Sequence, residues 1–253
     1  MTEGEAISDR SLWETHAGWW QQAFTGGADA EYEEQIIPLA AEHLAGASAV
    51  LDVGTGEGQL ARVAAGVGAR VVGVDPSLAQ VIAARERAGG PSYLRGEAVA
   101  LPFPDGAFDA ALACLVFEHI EGVDEAIAEV GRVLRPGGRF LFFLNHPLLQ
   151  VPGSGWIDDH ILDEQYWRIG PYLTEDISLE EVDKDVFLPF VHRPLSRYVN
   201  PLASAGMLIT RIEEPAPPPG FLARAEEYTA ATTSPRLLFL RAEKVAGPRL
   251  TLS

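Results

Sequence analysis

The sequence predicts an α/β fold built on a doubly wound, mostly parallel sheet, and two observations lead to this prediction. Short, continuous apolar runs, typical of strands that are buried on both faces, recur at Ala49–Val53, Arg70–Asp75 and 110–116. Stretches with helical periodicity separate these runs, as at 59–65 and 77–88. Strands that alternate with helices form parallel sheets covered by helices on both faces.

A glycine-rich turn follows the first predicted strand. Asp52 ends the apolar run, and glycine then occupies every second position, at Gly54, Gly56 and Gly58, before a helical pattern begins. Glycine permits positive φ and lets a ligand approach the backbone closely, and a helix start presents free N–H groups. The glycine spacing differs from the dinucleotide-binding fingerprint, and Asp52 would repel a pyrophosphate. The turn predicts a cradle for a ligand with an ammonium or hydroxyl group.

A second acidic residue, Asp75, ends the second predicted strand, 23 residues after Asp52. If the two strands are neighbours, their carboxyl ends share one crevice, where an acid can accept both ribose hydroxyls of an adenosine. This position alone fits NAD as well. The alternative is that Asp75 caps the helix that begins near Ser77.

The remaining elements complete an alternating pattern. We predict further strands at 92–95, 139–144, 207–213 and 236–243, and further helices at 5–25, 29–45, 123–134 and 195–206. Pro38 is expected to kink or divide the second of these helices. The pattern divides the chain into an N-terminal helical arm at 1–46, a core at 47–147 and 195–253, and an insertion at 148–194.

Composition excludes several classes of protein. The net charge is −17, with 36 acidic against 19 basic residues, so a nucleic acid or an anionic membrane surface is not expected as a partner. Cys114 is the single cysteine, which rules out an internal disulfide and a cysteine-based metal site; no metal is predicted. The acidic start carries no hydrophobic run, and no apolar stretch reaches membrane-spanning length. We therefore expect no signal peptide, no membrane span and a cytoplasmic location.

The order of the motifs points to a family. V-L-D-V-G-T-G-E-G, V-V-G-V-D-P-S, G-E-A-V-A-L-P-F-P-D-G-A-F-D-A, F-E-H-I and E-V-G-R-V-L-R-P-G-G-R-F follow one another between about 48 and 146. As a set, these motifs resemble a class I S-adenosylmethionine-dependent methyltransferase that acts on small molecules. One departure is Glu97, where the family more often has Asp.

The resemblance implies a Rossmann-like, seven-stranded sheet with an antiparallel edge strand, and S-adenosylmethionine as cofactor with S-adenosylhomocysteine as product. It assigns the methionine end to the glycine turn, the ribose to Asp75, and the adenine to residues at the next two strand ends. The implied cofactor-binding residues are Asp52, Gly54, Thr55, Gly56, Asp75, Pro76, Glu97, Ala98, Cys114 and Leu115.

The aromatic insertion and the tryptophan-rich arm are the expected acceptor-binding segments. A long, aromatic-rich connection is typically functional, and in this family its place carries a substrate cap. We predict a lipophilic substrate bound by Trp156, Tyr166, Trp167, His192 and Arg193. In the arm, Trp20 is expected to touch the cofactor as part of a flap. The alternative for the insertion is a structural role or a dimer contact. The alternative for the arm is that it only packs on the core.

A general base is needed only for a neutral nucleophile, and His119 and His146 follow the fourth and fifth strands. A carboxylate acceptor needs no base, and Arg193 or Arg197 could neutralise it. The favoured prediction is O-methylation of a small lipophilic carboxylic acid, such as a fatty acid, or of a phenol, by a monomer or homodimer. N- or C-methylation, a non-methylating member of the fold, an NAD-dependent oxidoreductase and a macromolecular methyltransferase stay open as alternatives.

Overall fold

A seven-stranded sheet forms the centre of the computed structural model, which describes residues 11–224 and 229–246. In spatial order its strands are β10 (Met207–Glu213), β11 (Leu237–Lys244), β5 (Leu134–Asn145), β4 (Phe108–Cys114), β1 (Ala49–Val53), β2 (Arg70–Asp75) and β3 (Ser92–Arg95). All pairings are parallel except those of β11, which lies between β5 and β10 and runs antiparallel to both. The predicted fold class is therefore confirmed.

Helices cover both faces of this sheet. They are α1 Ser11–Thr15, α2 Ala17–Ala23, α3 Ile37–Leu44, α4 Gln59–Gly66, α5 Leu78–Arg87, α6 Val123–Val133, α7 Ser196–Ser204 and the short α8 Pro219–Leu222. Two 3-10 turns, Phe117–His119 and Thr229–Thr233, lie in the connections. Within the described residues, no helix combines the length and apolarity that a membrane crossing requires.

Successive side chains along each strand point to opposite faces of the sheet, so the core has two layers. In β1, Leu51 packs into the cluster beneath α6 and α7, whereas Val50 packs into the cluster beneath α3, α4 and α5. Alternation in β4 is the same, with Ala113 in the first cluster and Leu112 in the second. All four side chains are fully buried, which explains why the strands read as continuous apolar runs.

The fourth strand ends earlier than predicted. The apolar run suggests 110–116, but β4 spans Phe108–Cys114. Leu115 leaves the strand with φ 54°, a left-handed conformation that is uncommon for a side chain of this size. This bend turns the chain into the 3-10 turn that carries His119.

The N-terminal arm contains two short helices where a single helix was predicted at 5–25. Residues 5–10 of that prediction lie outside the described part of the chain. Helices α1 and α2 meet at His16. Pro38 lies in the first turn of α3, directly after the π-helical turn Tyr32–Ile36, so the predicted division of this helix occurs. Asp29 caps the π-helical turn by accepting a hydrogen bond from Tyr32 N at 2.9 Å.

The insertion folds into two antiparallel hairpins. The first pairs β6 Gly155–Asp159 with β7 Glu164–Arg168, and the second pairs β8 Asp176–Asp183 with β9 Val186–His192. The second hairpin contacts the 3-10 turn after β4 and helix α1. It is therefore the second hairpin, rather than the first, that lies over the carboxyl ends of the central strands.

Candidate functional site

A cavity of about 540 Å³ opens at the carboxyl ends of β1, β2 and β4, where open parallel sheets bind ligands. The arm and the second hairpin of the insertion form its outer wall. All the residues predicted to contact the cofactor line it. These are Trp20, Asp52, Gly54, Thr55, Gly56, Asp75, Pro76, Glu97, Ala98, Cys114 and Leu115.

Each of the three positions in the turn requires glycine for a different structural reason. All have positive φ, at 68° for Gly54, 54° for Gly56 and 85° for Gly58, a conformation that glycine adopts without strain. A Cβ on Gly54 would collide with the side chain of Val116, and one on Gly58 with the hydroxyl of Tyr93. A Cβ on Gly56 would instead project into open space, with Trp20 Nε1 nearest at 4.0 Å. Gly56 therefore marks the place where a ligand can approach the backbone.

Asp75 links the ends of β1 and β2. Its Oδ2 accepts a hydrogen bond from Gly56 N at 2.8 Å, and its Oδ1 accepts one from Ser77 N at 2.9 Å. The helix cap proper is Ser77, whose Oγ accepts from Gln80 N at 3.2 Å. Each carboxylate oxygen can accept more than one hydrogen bond, so Asp75 keeps capacity for a ligand hydroxyl.

Burial gives the two strand-end acids unusual pKa values. Asp52, whose Oδ2 accepts from Thr55 Oγ1 at 2.7 Å, has a pKa raised to about 7, chiefly by burial and further by the charge of Asp75. Burial also raises the pKa of Asp75 to about 6, although its two backbone hydrogen bonds oppose the rise. A buried carboxylate that lacks a partner is costly to keep ionised. A ligand with hydroxyl and cationic groups would supply such partners.

His119 also lines the cavity. Its Nδ1 lies 2.7 Å from the carbonyl oxygen of Pro189 in β9. A carbonyl oxygen only accepts, so Nδ1 carries the proton. The ring packs edge-on between Trp13 and Phe190, with centroid distances of 4.5 Å to each. Burial lowers the pKa of His119 to about 4, so at neutral pH the imidazole is uncharged and Nε2 is unprotonated.

The cavity wall around His119 is mostly apolar. The arm contributes Trp13, the segment after β4 contributes Ile120, and the second hairpin contributes Ile177, Pro189 and Val191. The hairpin residues were not predicted as site residues, because nothing in their local sequence pattern distinguishes them from other strand residues. Tyr32 was missed too; it lines the cavity and its hydroxyl lies 3.7 Å from Cys114 Sγ.

The aromatic residues predicted to bind substrate in the first hairpin do not line this cavity. Trp156 and Trp167 face each other across β6 and β7, with ring centroids 5.5 Å apart. Tyr166 is 45% exposed. The two tryptophans form a cross-strand pair of the kind that stabilises a hairpin. This pairing explains the aromatic residues at these positions without a role in substrate binding.

The two basic residues at the end of the insertion that were predicted to bind substrate also lie outside the cavity lining. Arg193 is buried and donates to the carbonyl oxygens of Phe117, Ile120 and Glu121 at 3.2, 2.7 and 2.8 Å. His192 is buried as well, with Nε2 2.8 Å from the carbonyl oxygen of Tyr172. Neither residue lines the cavity. Arg193 instead holds the segment that carries His119.

His146, the other predicted base, lies outside the cavity lining. Its Nε2 is 2.8 Å from Glu214 Oε1, and its Nδ1 accepts from Leu148 N at 3.2 Å. Both ring nitrogens are therefore engaged within the protein. Within the described residues, no three His, Cys, Asp or Glu side chains form a group that could hold a metal ion.

These features fit an adenosyl-amino-acid cofactor. Gly56 leaves open space at the turn, Asp75 has free acceptor capacity, and Asp52 is a buried acid in need of a partner. Asp52 and the turn would hold the cationic amino-acid end of the cofactor. Asp75 would hold the ribose hydroxyls, and Pro76, Glu97 and Ala98 would surround the base.

Comparisons with known proteins agree with this fit. Residues 51–142 match the family described as Methyltransferase domain. The chain is 35% identical, over 63% of each chain, to a ubiquinone/menaquinone biosynthesis C-methyltransferase of Methylobacterium nodulans. It is 37% identical, over 46% of this chain and 54% of the relative, to a demethylmenaquinone methyltransferase of Thermus thermophilus. The chain thus spans between about half and two thirds of the length of these curated relatives.

A solved structure extends the likeness to the whole fold. The S-adenosylmethionine-dependent methyltransferase from Mesorhizobium loti superposes with a TM-score of 0.71 at 27% identity, over 81% of this chain and 96% of that one. Residues 51–142 therefore form a methyltransferase domain, and the fold around them is similar to that of an S-adenosylmethionine-dependent methyltransferase.

Proposed function

We propose that this protein transfers a methyl group from S-adenosylmethionine to a small lipophilic acceptor. The observation that carries the proposal is the continuity of one cavity. It joins the glycine turn and Asp75 to an apolar wall made by Trp13, Ile177 and Pro189. Cofactor and acceptor would therefore meet in a space from which these side chains exclude much of the water.

The chemistry asked of the protein is limited. Bound S-adenosylmethionine supplies a methyl group already activated by a sulfonium centre. The protein must align the acceptor with that group, and alignment supplies up to about 7–11 kcal/mol in favourable cases. His119 is the proposed base for an acceptor that carries a proton, because it lines the cavity and Pro189 holds its ring through Nδ1, which leaves Nε2 as the acceptor nitrogen.

Oxygen is the proposed methyl acceptor, in a carboxylic acid or a phenol. Methylation at nitrogen or carbon is the alternative, and the printed name of the Methylobacterium relative is that of a C-methyltransferase. A nucleic acid acceptor is not proposed, since the chain has a net charge of −17 and phosphate contacts require clustered cations.

Two measurements test this proposal. Calorimetry should detect binding of S-adenosylmethionine and S-adenosylhomocysteine and no binding of NAD. A screen of lipophilic acids, phenols and amines with methyl-labelled cofactor should then yield a labelled acceptor. NAD binding without S-adenosylmethionine binding would refute the cofactor assignment. Tight cofactor binding with no labelled product from any class would favour a non-methylating member of the fold.

A further inference from the structure

The side chains that line the cavity carry an excess of acidic groups. Six carboxyl-bearing side chains line it, and in the described part of the chain only Arg95 and His119 are basic among the lining residues. The six are Glu14, Asp52, Glu57, Asp75, Glu97 and Glu121. Glu57 is paired with Arg62 and Arg87 behind the glycine turn, which still leaves the cavity facing mainly acids.

Neither basic lining residue offers a counter-charge where the acceptor would bind. Arg95 lies at the end of β3, beside the proposed adenine site, and its Nε donates to the carbonyl oxygen of Pro76 at 2.9 Å. His119 donates its Nδ1 proton to Pro189 and is uncharged at neutral pH because of its lowered pKa. The apolar wall around His119 thus has no cation among its described lining residues.

The two arginines expected from the sequence to neutralise a substrate carboxylate are engaged elsewhere. Arg193 is 3% exposed and donates to three backbone carbonyls. Arg197 lies outside the cavity lining, where its Nε contacts Glu175 Oε1 at 2.6 Å and its Nη1 contacts Asp124 Oδ1 at 3.1 Å. Freeing the Arg193 guanidinium would leave backbone carbonyl oxygens without their donor, which is costly, and freeing that of Arg197 would break its two ion pairs.

We propose that the acceptor site selects an uncharged or positively charged head group, a hydroxyl or an amine, and rejects a carboxylate. This inference rests on the proposed function and narrows its oxygen acceptors to hydroxyl compounds such as phenols. A carboxylate would lose its hydration on entering the apolar wall and gain no cationic side chain of the protein there, and Glu121, which lines the same cavity, adds negative charge.

Ligand binding to the full chain saturated with S-adenosylhomocysteine tests the head-group preference. The probes are a naphthol, the matching naphthylmethylamine and the matching naphthoic acid, which share one ring system and differ in charge at pH 7. We expect the naphthol or the amine to bind tighter than the acid by on the order of tenfold or more, as a small Coulomb difference suffices for this ratio. Equal or tighter binding of the acid, or no difference among the three, overturns the inference.

A charge-insertion variant sharpens the test. Ile177 and Leu179 lie two residues apart on β8 and are similarly exposed, at 38% and 40%, but only Ile177 lines the cavity. Ile177→Arg should raise affinity for the naphthoic acid by on the order of tenfold, whereas Leu179→Arg should leave it unchanged. An equal response of the two variants, or no response to Ile177→Arg, contradicts the inference.

This binding readout separates the two proposals. If the head-group preference is observed but no labelled methyl group is transferred in the acceptor screen, the proposed activity fails and the preference stands. If methyl transfer occurs to carboxylic acids as readily as to phenols, the activity stands and the preference fails.

Discussion

The imidazole of His119 donates its Nδ1 proton to the carbonyl oxygen of Pro189, at 2.7 Å. The two residues come from different parts of the chain, His119 from the turn after β4 and Pro189 from the inserted hairpin. The contact fixes the tautomer of the ring, because the carbonyl can only accept. It also means that the insertion, beyond covering the cavity, orients the group proposed to take the acceptor proton.

Replacing this imidazole should slow methyl transfer without weakening cofactor binding. Removal of a general base typically costs about 10²–10⁴-fold in rate, so His119→Gln should lower kcat for a hydroxyl acceptor within that range. Calorimetry should give an unchanged Kd for S-adenosylhomocysteine. His146→Gln is the control, since His146 lies outside the cavity lining and bonds to Glu214. Full activity of His119→Gln would remove the base assignment.

Asp75 should determine affinity for the cofactor. Asp75→Ala removes the acceptor for Gly56 N and Ser77 N and the proposed ribose contact. Hydrogen bonds to charged groups contribute about 1.5–3 kcal/mol, so the Kd for S-adenosylhomocysteine should rise by roughly ten- to a hundredfold. Glu86→Gln, an exposed change on helix α5, which follows Asp75 in the chain, is the control. An unchanged Kd for Asp75→Ala would show that the ribose assignment is wrong.

Substitution of Gly56, at the centre of the turn, should weaken cofactor binding more than its effect on stability explains. Gly56→Ala places a methyl group in the open space beneath Trp20, and its left-handed backbone adds a strain of about 1–2 kcal/mol. Gly46→Ala carries a similar strain, with φ 77° and no atom within 4 Å of the new Cβ, away from the cavity. We expect both variants to lose similar stability and only Gly56→Ala to lose affinity for S-adenosylhomocysteine. Equal affinities would contradict a close backbone approach by the cofactor.

Stability and cofactor affinity should respond to pH in opposite directions. Burial raises the pKa of Asp52 and Glu118 to about 7 and that of Asp75 to about 6. These values exceed those of the unfolded chain, so as the pH falls through this range the folded protein binds protons while the same carboxyl groups of the unfolded chain stay ionised. The stability contributed by these groups is therefore present at low pH and lost as the pH rises through about 6–7.

Cofactor binding needs the ionised forms of Asp52 and Asp75, so affinity should fall on acidification. Denaturant unfolding of the cofactor-free protein and calorimetry with S-adenosylhomocysteine, both between about pH 8 and pH 5.5, measure the two trends. Asp75→Asn should flatten the part of each curve that this residue causes. Affinity that increases as the pH falls would be inconsistent with carboxylate contacts to the cofactor.

Sequence patterns predicted the cofactor side of the cavity because its signals are local. Asp52, Gly56 and Asp75 each lie at the end of an apolar run, and parallel strands bring those ends together regardless of what covers the sheet. The positions of most strands follow from the same regularity. The bend at Leu115 was missed, because an apolar run does not reveal where its backbone leaves the sheet.

The acceptor side depends on contacts between distant segments, and the sequence carried no comparable signal there. Trp156 and Trp167 looked like ligand-binding aromatics, but they pair with each other across a hairpin. Arg193 was predicted to bind substrate as a cation, but its two Nη atoms donate to three backbone carbonyls. Composition alone could not show which hairpin lies over the cavity. Only the fold therefore identifies Ile177 and Pro189 as cavity-lining residues.

The most direct test of the account is transfer of a labelled methyl group from S-adenosylmethionine to a panel of lipophilic phenols and amines. It compares the natural protein with Asp75→Ala and His119→Gln. We predict a labelled acceptor with the natural protein, a loss of product at limiting cofactor with Asp75→Ala, and a loss at all cofactor concentrations with His119→Gln. Absence of any labelled acceptor while the cofactor is bound, or unchanged product formation by both variants, would contradict the account.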